Sequence, residues 1–339
     1  MKHGTLAAAA LCVLMAIAHR GVQAQLRDPT PAEHAADLAA FQAVQRALAD
    51  RLTDVQSVVV VLRGRVAYEF YRDGLPDKLR ETQSVQKSAL SVVTGVALGQ
   101  GRLAGLDQPV LALMPQLTSL NRDPRAAAIT VRHLLTMTAG FEVDDPAGIK
   151  GGGMDPRDAW ARPMRSAPGE KFAYDNALIP MLAAVLEQAV GMPLADFGRQ
   201  HLFGPLGMAE PSYQRGLQLR TIDMAKLGQL VLHDGLWEGK QILPADYVRS
   251  ATEPQNTGGP PARLPYGYMW WVFPSQETRR TFMAIGYAGQ LIWVSPALEM
   301  VVAATSTVSA DSQRRGHAIE LLRGGLISAA QQRLKDEPR

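Results

Sequence analysis

Cysteine is almost missing from this chain. There is one, Cys12, among 339 residues. It lies in the apolar run TLAAAALCVLMAIA, between the basic start MKHG and the segment HRGVQAQ. Together these read as a secretory leader, residues 1–24, cut after Ala24. The run is short for a membrane span, although an uncleaved anchor is the other reading. Leu11 is a poor residue to precede a lipoprotein cysteine. Once the leader is gone no cysteine is left, so neither disulfide nor thiol chemistry is available. Export without disulfides fits a periplasmic or secreted protein. The leader also carries Lys2 and Arg20 and no acid, so its loss lowers the formal charge of +3 by two.

Other absences narrow the chemistry. No block of Lys and Arg, with or without interleaved aromatics, points to nucleic acid. G-x-S-x-G is absent, which removes the α/β-hydrolase elbow. H-E-x-x-H is absent and the seven histidines are scattered, so no metal is expected. His133, in VRHLL, reads as a packed histidine. GQGRLA (99–104) imitates a dinucleotide motif but ends a helical stretch instead of following a strand, so it reads as a turn and no cofactor is expected. No internal repeat or low-complexity tract occurs, and KGGGMDP (150–156) is the loop with the most flexible composition.

What is present is ordinary globular composition, 47% hydrophobic and 20% charged, with enough chain for a large core. Thr30, Pro31 and Glu33 open a helix with capping-box spacing, and Leu38, Phe41, Val44, Leu48 and Leu52 recur at helical intervals. SVVVVLRGRVAYEFY reads as a hairpin turning at Arg63–Arg65. TFMAIG, QLIWVSP and LEMVVAATST read as three further strands. A helix is expected from Gln313 to Lys335, with Ile319, Leu322 and Leu326 on one stripe. Between Ser84 and about Pro260 nearly every periodic segment is helical. The expected class is α+β: one domain over 25–339, with an antiparallel sheet from 55–72 and 265–307 and a mostly helical section, about 84–260, inserted into it.

Within TQSVQKSAL, Lys87 follows Ser84 by three residues, so on a helix the two share a face. The nearest acids are Glu81 and Asp107, whereas a surface helix would normally offset its lysine. Lys87 is therefore either solvated or buried for its chemistry. A buried lysine without a carboxylate has its pKa lowered by desolvation. It can then take the proton that keeps a serine hydroxyl from being a nucleophile. Ser84 at a helix N-terminus would also sit in the positive end of the helix dipole. The plainer reading is a serine cap beside a solvated lysine.

Two later stretches bear on the choice. Tyr174-Asp175-Asn176 lies after a Pro168-Gly169 turn and before a helix marked by Leu178, Met181, Leu182, Val185 and Leu186. Tyr174 could shuttle a proton, and Asn176 could hold the lysine or a substrate carbonyl. Alternatively Asp175 or Asn176 caps the helix and Tyr174 is packed. Tyr287-Ala288-Gly289-Gln290 lies between two strands. Gly289 lets a substrate approach the backbone, and the N–H of Gln290, with that of Ser84, could form an oxyanion hole. The plainer reading is a glycine turn.

Taken in order, Ser84-x-x-Lys87, Tyr174-x-Asn176 and Tyr287-Ala288-Gly289 resemble the three motifs of the penicillin-recognising serine hydrolases. The class C β-lactamase-like branch, with its DD-peptidases, carboxylesterases and 6-aminohexanoate-dimer hydrolases, is the most similar. ITVRHLLTMTAGF, FGPLGM, TIDMAKLGQLVLHDGLWEGKQILP and YGYMWWV look like the same family, and the resemblance spans roughly 35–325. It implies a β-lactamase/transpeptidase-like fold with the site in a cleft between sheet and helical section. It also implies an acyl-enzyme on Ser84, with Lys87 and Tyr174 sharing base and acid roles. Asn176, Tyr287, Gly289 and Gln290 would bind substrate. One departure stands out: relatives usually begin the third motif with a cation that meets a substrate carboxylate, and here the position is Tyr287. That favours neutral esters or amides over β-lactams and D-Ala-D-Ala peptides. A binding protein that keeps the fold without catalysis is the alternative from another class, and the intact Ser84, Lys87 and Tyr174 argue against it.

Overall fold

The computed structural model describes residues 26–143, 153–308 and 316–337. The expected leader, part of KGGGMDP and the start of the helix expected at Gln313 lie outside the described residues. Among the described residues twelve strands form: β1 (Val55–Leu62), β2 (Arg65–Tyr71), β3 (Arg80–Glu81), β4 (Gln218–Leu219), β5 (Leu236–Trp237), β6 (Lys240–Gln241), β7 (Asn256–Gly259), β8 (Leu264–Tyr266), β9 (Trp271–Val272), β10 (Phe282–Gly286), β11 (Gln290–Ser295) and β12 (Met300–Ser306). Eight of them make one antiparallel sheet in the order β2-β1-β12-β11-β10-β9-β8-β7. Strands from the two ends of the chain therefore meet next to the β2 edge of the sheet, where β1 pairs with β12 from Val55↔Ser306 to Leu62↔Met300. The β1–β2 turn is Arg63-Gly64, with φ of 50° and 72°, the left-handed pair that matches strand twist in a two-residue hairpin.

Among the described residues nine α-helices lie before the last strands: α1 (Pro31–Asp50), α2 (Val85–Gly99), α3 (Val110–Leu113), α4 (Val131–Leu135), α5 (Pro156–Trp160), α6 (Leu178–Val190), α7 (Leu194–Gly198), α8 (Thr221–Leu232) and α9 (Ala245–Ala251). After them α10 (His317–Leu321) and α11 (Ile327–Lys335) run on as one helical stretch. In β1 every side chain but Gln56 is buried, so both faces of the sheet are covered. Helix α8 crosses β1, β11 and β12 on one face. It does so closely because of Gly228, where a Cβ would stand 2.6 Å from a Val301 methyl. α1 packs with α11 and against β2. No single described helix is long and apolar enough to cross a membrane.

Two expectations need correction. Leu38 is 50% exposed, while Phe41, Val44, Leu48 and Leu52 are buried. The inward position on that turn belongs to Asp37, because its carboxylate takes two bonds from buried Arg65 (2.9 and 3.1 Å) and one from Arg333 (2.8 Å). The sheet is also longer than the sequence indicates. β7, a strand of four residues, lies inside the stretch expected to be helical; β8 and β9 fall at and within the stretch expected to be sheet but are three and two residues long, too short for a readable period. On the C-terminal helix, half-buried Ile319 packs against the core beside buried Leu322 and Leu326, as the expected stripe requires.

The Asp37 cluster ties both terminal helices to the sheet edge and carries a prediction. Asp37→Ala leaves two buried guanidinium groups short of their shared carboxylate. Breaking a buried pair from one side costs about 3–5 kcal/mol; Glu33 and Glu337 also contact Arg65, so the expected loss is near 3 kcal/mol. Urea unfolding of the two proteins reads it, and an unchanged midpoint would remove the cluster from the account.

Candidate active site

Helix α2 answers the question raised by Lys87. It has no acid, and twelve of its fifteen residues are buried, the pattern of a helix enclosed on most sides. Lys87 is 2% exposed and forms no ion pair among the described residues. Its Nζ donates to Ser84 Oγ at 3.0 Å and to Asn176 Oδ1 at 2.6 Å. It lies 4.7 Å from the centre of the Tyr174 ring. Burial among neutral groups pushes its pKa down to about 7, against an opposing pull from the Asp175 charge. Near neutral pH much of the amine is thus free of its proton.

Ser84 sits at the N-cap of α2, yet its side chain makes no cap bond. A strained turn presents it. Gln83 has φ of 50°, uncommon for a residue with a side chain. The preceding Thr82 is fixed to Leu217 O by its N–H (3.1 Å) and its hydroxyl (2.7 Å). Ser84 Oγ meets Lys87 on one side and the Tyr174 hydroxyl on the other. Tyr174 is 7% exposed. Desolvation raises its pKa to about 12, partly offset by the bond with Ser84. Its ring stacks on Trp271 at 5.9 Å and 22°. Trp271 also meets Tyr266 and Phe172 edge-on at 4.5 and 5.9 Å. These aromatics brace Tyr174 from the sheet side, and Ser88 Oγ ties α2 to the same region by donating to Met269 O at 2.6 Å. A recess of about 270 Å³ opens beside Tyr174, with Phe141, Phe172 and Pro260 among its walls.

Ser84, Lys87, Tyr174 and Asn176, separated by as many as 92 positions in sequence, therefore meet at one point. Asp175 does not face it. Its carboxylate is turned to Arg162 at 2.6 Å and to the N–H of Ala177 at 2.9 Å; the N-cap of α6 is Ala177, with no side-chain cap bond, so neither Asp175 nor Asn176 caps the helix.

The third stretch is brought alongside by a different glycine from the one the sequence suggests. Gly286, at the end of β10, lies so close that a Cβ there would be 2.7 Å from Thr82 O and 2.9 Å from Gln83 Cβ. The turn that follows has Ala288 at φ 63° and Gly289 at φ 97°. Tyr287 is 40% exposed. For Gln290 the sequence reading concerns the backbone N–H, and the side chain has a separate task. It is fully buried, donates to Tyr287 O (3.2 Å) and Ser306 O (2.9 Å), and accepts from Ser306 N–H at 3.0 Å. It fastens the turn to β12, which leaves its backbone N–H as the group it has to offer. His133 is packed as expected: it shares a capping box with Thr130 at the head of α4. No cluster able to hold a metal occurs among the described residues.

Trp271, Phe172, Tyr266 and Arg162 were not singled out by sequence. The block YGYMWWV contains two of them, but nothing in its spacing says which aromatic reaches Tyr174.

An antiparallel sheet covered by helices, with Ser-x-x-Lys at the head of a buried helix, is the β-lactamase/transpeptidase-like fold. The family model described as Beta-lactamase matches residues 42–220, more than half of the chain, and the chain belongs to that family. The matched part holds Ser84, Lys87, Tyr174 and Asn176 and ends before the third motif. Among curated proteins, the 6-aminohexanoate-dimer hydrolase of Paenarthrobacter ureafaciens is 24% identical over 331 residues, covering 87% of this chain and 84% of its own. Esterase EstB of Burkholderia gladioli is 32% identical over 152 residues, or 40% of this chain and 38% of its own. Among solved structures, a putative β-lactamase from Bacteroides dorei superposes with a TM-score of 0.74 at 18% identity, over 86% of this chain and 99% of the other. The chain is thus a hydrolase of the β-lactamase family with esterase- and amidase-like relatives.

Proposed function

We propose that this protein is an exported serine hydrolase that forms an acyl-enzyme on Ser84 and acts on neutral esters or amides. The observation that carries it is the buried, carboxylate-free Lys87 amine 3.0 Å from Ser84 Oγ. Ser84 Oγ attacks the carbonyl carbon as Lys87 Nζ takes its proton. The N–H groups of Ser84 and Gln290 are assigned to the carbonyl oxygen as it gains charge. The Tyr174 hydroxyl gives its proton to the departing alkoxide or amine and recovers one from Lys87. Water then attacks the ester to Ser84, and the same groups run in reverse. An amine near 7 is a far readier acceptor than a phenol held up near 12.

The preference for neutral substrates rests on Tyr287, a phenol with one hydrogen bond to donate and no charge. A hydrogen bond to a charged group contributes about 1.5–3 kcal/mol, or roughly tenfold to a hundredfold at ~1.4 kcal/mol per decade. Wild type is expected to favour a short-chain aryl ester over a chromogenic cephalosporin or a D-Ala-D-Ala peptide. Tyr287→Lys should narrow the gap by raising kcat/KM for the carboxylate-bearing substrates. Efficient cephalosporin turnover by wild type would overturn the preference and favour the β-lactamase reading. Export rests on the composition of residues 1–24; the intact mass of the protein recovered from cells should place its N-terminus at Gln25. A full-length mass in the membrane fraction would refute it.

A further inference from the structure

Asp175 has a place that the proposed mechanism leaves unused. It stands between Tyr174 and Asn176, the two residues that meet Lys87 from across the site. It is 4% exposed, and a buried carboxylate is costly unless both oxygens are engaged. Both are: Oδ2 accepts from Arg162 Nη2 at 2.6 Å, and Oδ1 accepts from the N–H of Ala177 at 2.9 Å. The second bond satisfies an N–H at the head of α6 that has no helical partner, so it sets how the chain enters that helix just past Asn176.

Arg162 is itself held from three sides. Nε donates to Ala159 O at 3.0 Å and Nη1 to Glu142 O at 3.4 Å, and the guanidinium lies 5.0 Å from the centre of the Phe141 ring. The 137–142 segment that Arg162 rests on also takes a backbone bond from Ala173 N–H, at Met137 O, 2.9 Å away. Tyr174 is therefore pinned on both flanks, by a backbone bond at Ala173 and by the ion pair at Asp175. Tyr174 and Asn176 face Lys87 while Asp175 faces Arg162.

We propose that the Arg162–Asp175 pair is a positioning device that holds Tyr174 and Asn176 in register about Lys87. The inference rests on the reading of Ser84 and Lys87 as nucleophile and base. Neither member of the pair touches substrate; both act through their neighbours. The groups that face Lys87 directly, Ser84, Tyr174 and Asn176, are neutral near pH 7, and the Asp175 carboxylate is the charge that acts on it. Arg162 is the cation facing Asp175, and the Glu142 group it reaches is a backbone carbonyl. Taking the negative charge away should make the Lys87 ammonium easier to deprotonate, which moves the acid limb of the rate profile to lower pH.

The test compares wild type with Asp175→Asn, which keeps an oxygen for Ala177 N–H and removes the charge, and with Arg162→Met. A fluorophosphonate probe counts active sites, so rates refer to folded protein. A displacement of about 1 Å can cost on the order of a hundredfold in rate. In each variant kcat for a neutral ester should fall by roughly tenfold to a hundredfold with KM nearly unchanged. In Asp175→Asn the acid limb should also move down. Arg162→Lys should recover much of the loss. The double variant should be no worse than the poorer single one, because the two residues act as a unit. Variants with a lower unfolding midpoint but wild-type kcat per labelled site and an unmoved acid limb would show a merely structural pair and overturn the inference. If wild type itself fails to label at Ser84, the functional reading fails first, and that result is distinct from labelled variants that keep full rate.

Discussion

Ser84→Ala should lose labelling by a fluorophosphonate and lose turnover of every substrate, while keeping its fold. Removing an activated nucleophile costs on the order of 10⁴- to 10⁶-fold in kcat. Stability should hardly change, because the Ser84 hydroxyl does not cap α2. A capping serine would have taken about 1 kcal/mol with it. The expected pair of results is therefore a dead enzyme with a wild-type unfolding midpoint. An alanine variant that retained near-full activity would place the nucleophile elsewhere.

Lys87→Met should be almost as damaging to acylation, and for a reason that pH can isolate. The active form of Lys87 is the neutral amine. With its pKa lowered to about 7 by burial, kcat/KM for a neutral ester should rise with pH through that value and level off above it. Tyr174, held near 12, stays protonated across this range and adds no second limb. The methionine variant keeps the length and apolar contact of the side chain but removes the amine, so the residual rate should be low and the limb near 7 should vanish. Its fold should survive, because the half-buried Asn176 can turn its carbonyl toward water when the amine is gone. A wild-type profile flat through neutral pH, or a variant that acylates at the normal rate, would return Lys87 to a passive role.

Those two residues were legible in sequence because their signal is local. Ser84 and Lys87 lie three apart in a stretch without acids, and a helix must put them on one face. The same is true of the Thr30–Glu33 capping box, which forms as the spacing predicts, and of the strands β10 to β12. What stayed hidden depends on long-range pairing. β9 is two residues long, too short for any period, yet it delivers Trp271 to the face of Tyr174. Asp37 sits on a turn of α1 where Leu38 looks like the inward residue, and only the arrival of Arg65 and Arg333 from other elements makes burying the acid favourable. The task of the Gln290 side chain stayed unread because it depends on β12, which supplies the Ser306 backbone for its amide. Asp175 could be read as a cap, but its partner Arg162 stands in a segment that nothing in the spacing singles out.

The central claim is a covalent bond between substrate and Ser84. It is tested most directly by mixing wild type with an activated neutral ester, quenching in acid within the first turnovers, and mapping the protein by mass spectrometry. An added acyl group is expected on the peptide that contains Ser84, absent from Ser84→Ala and scarce in Lys87→Met. Turnover with no adduct, or an adduct on any other residue, would contradict it.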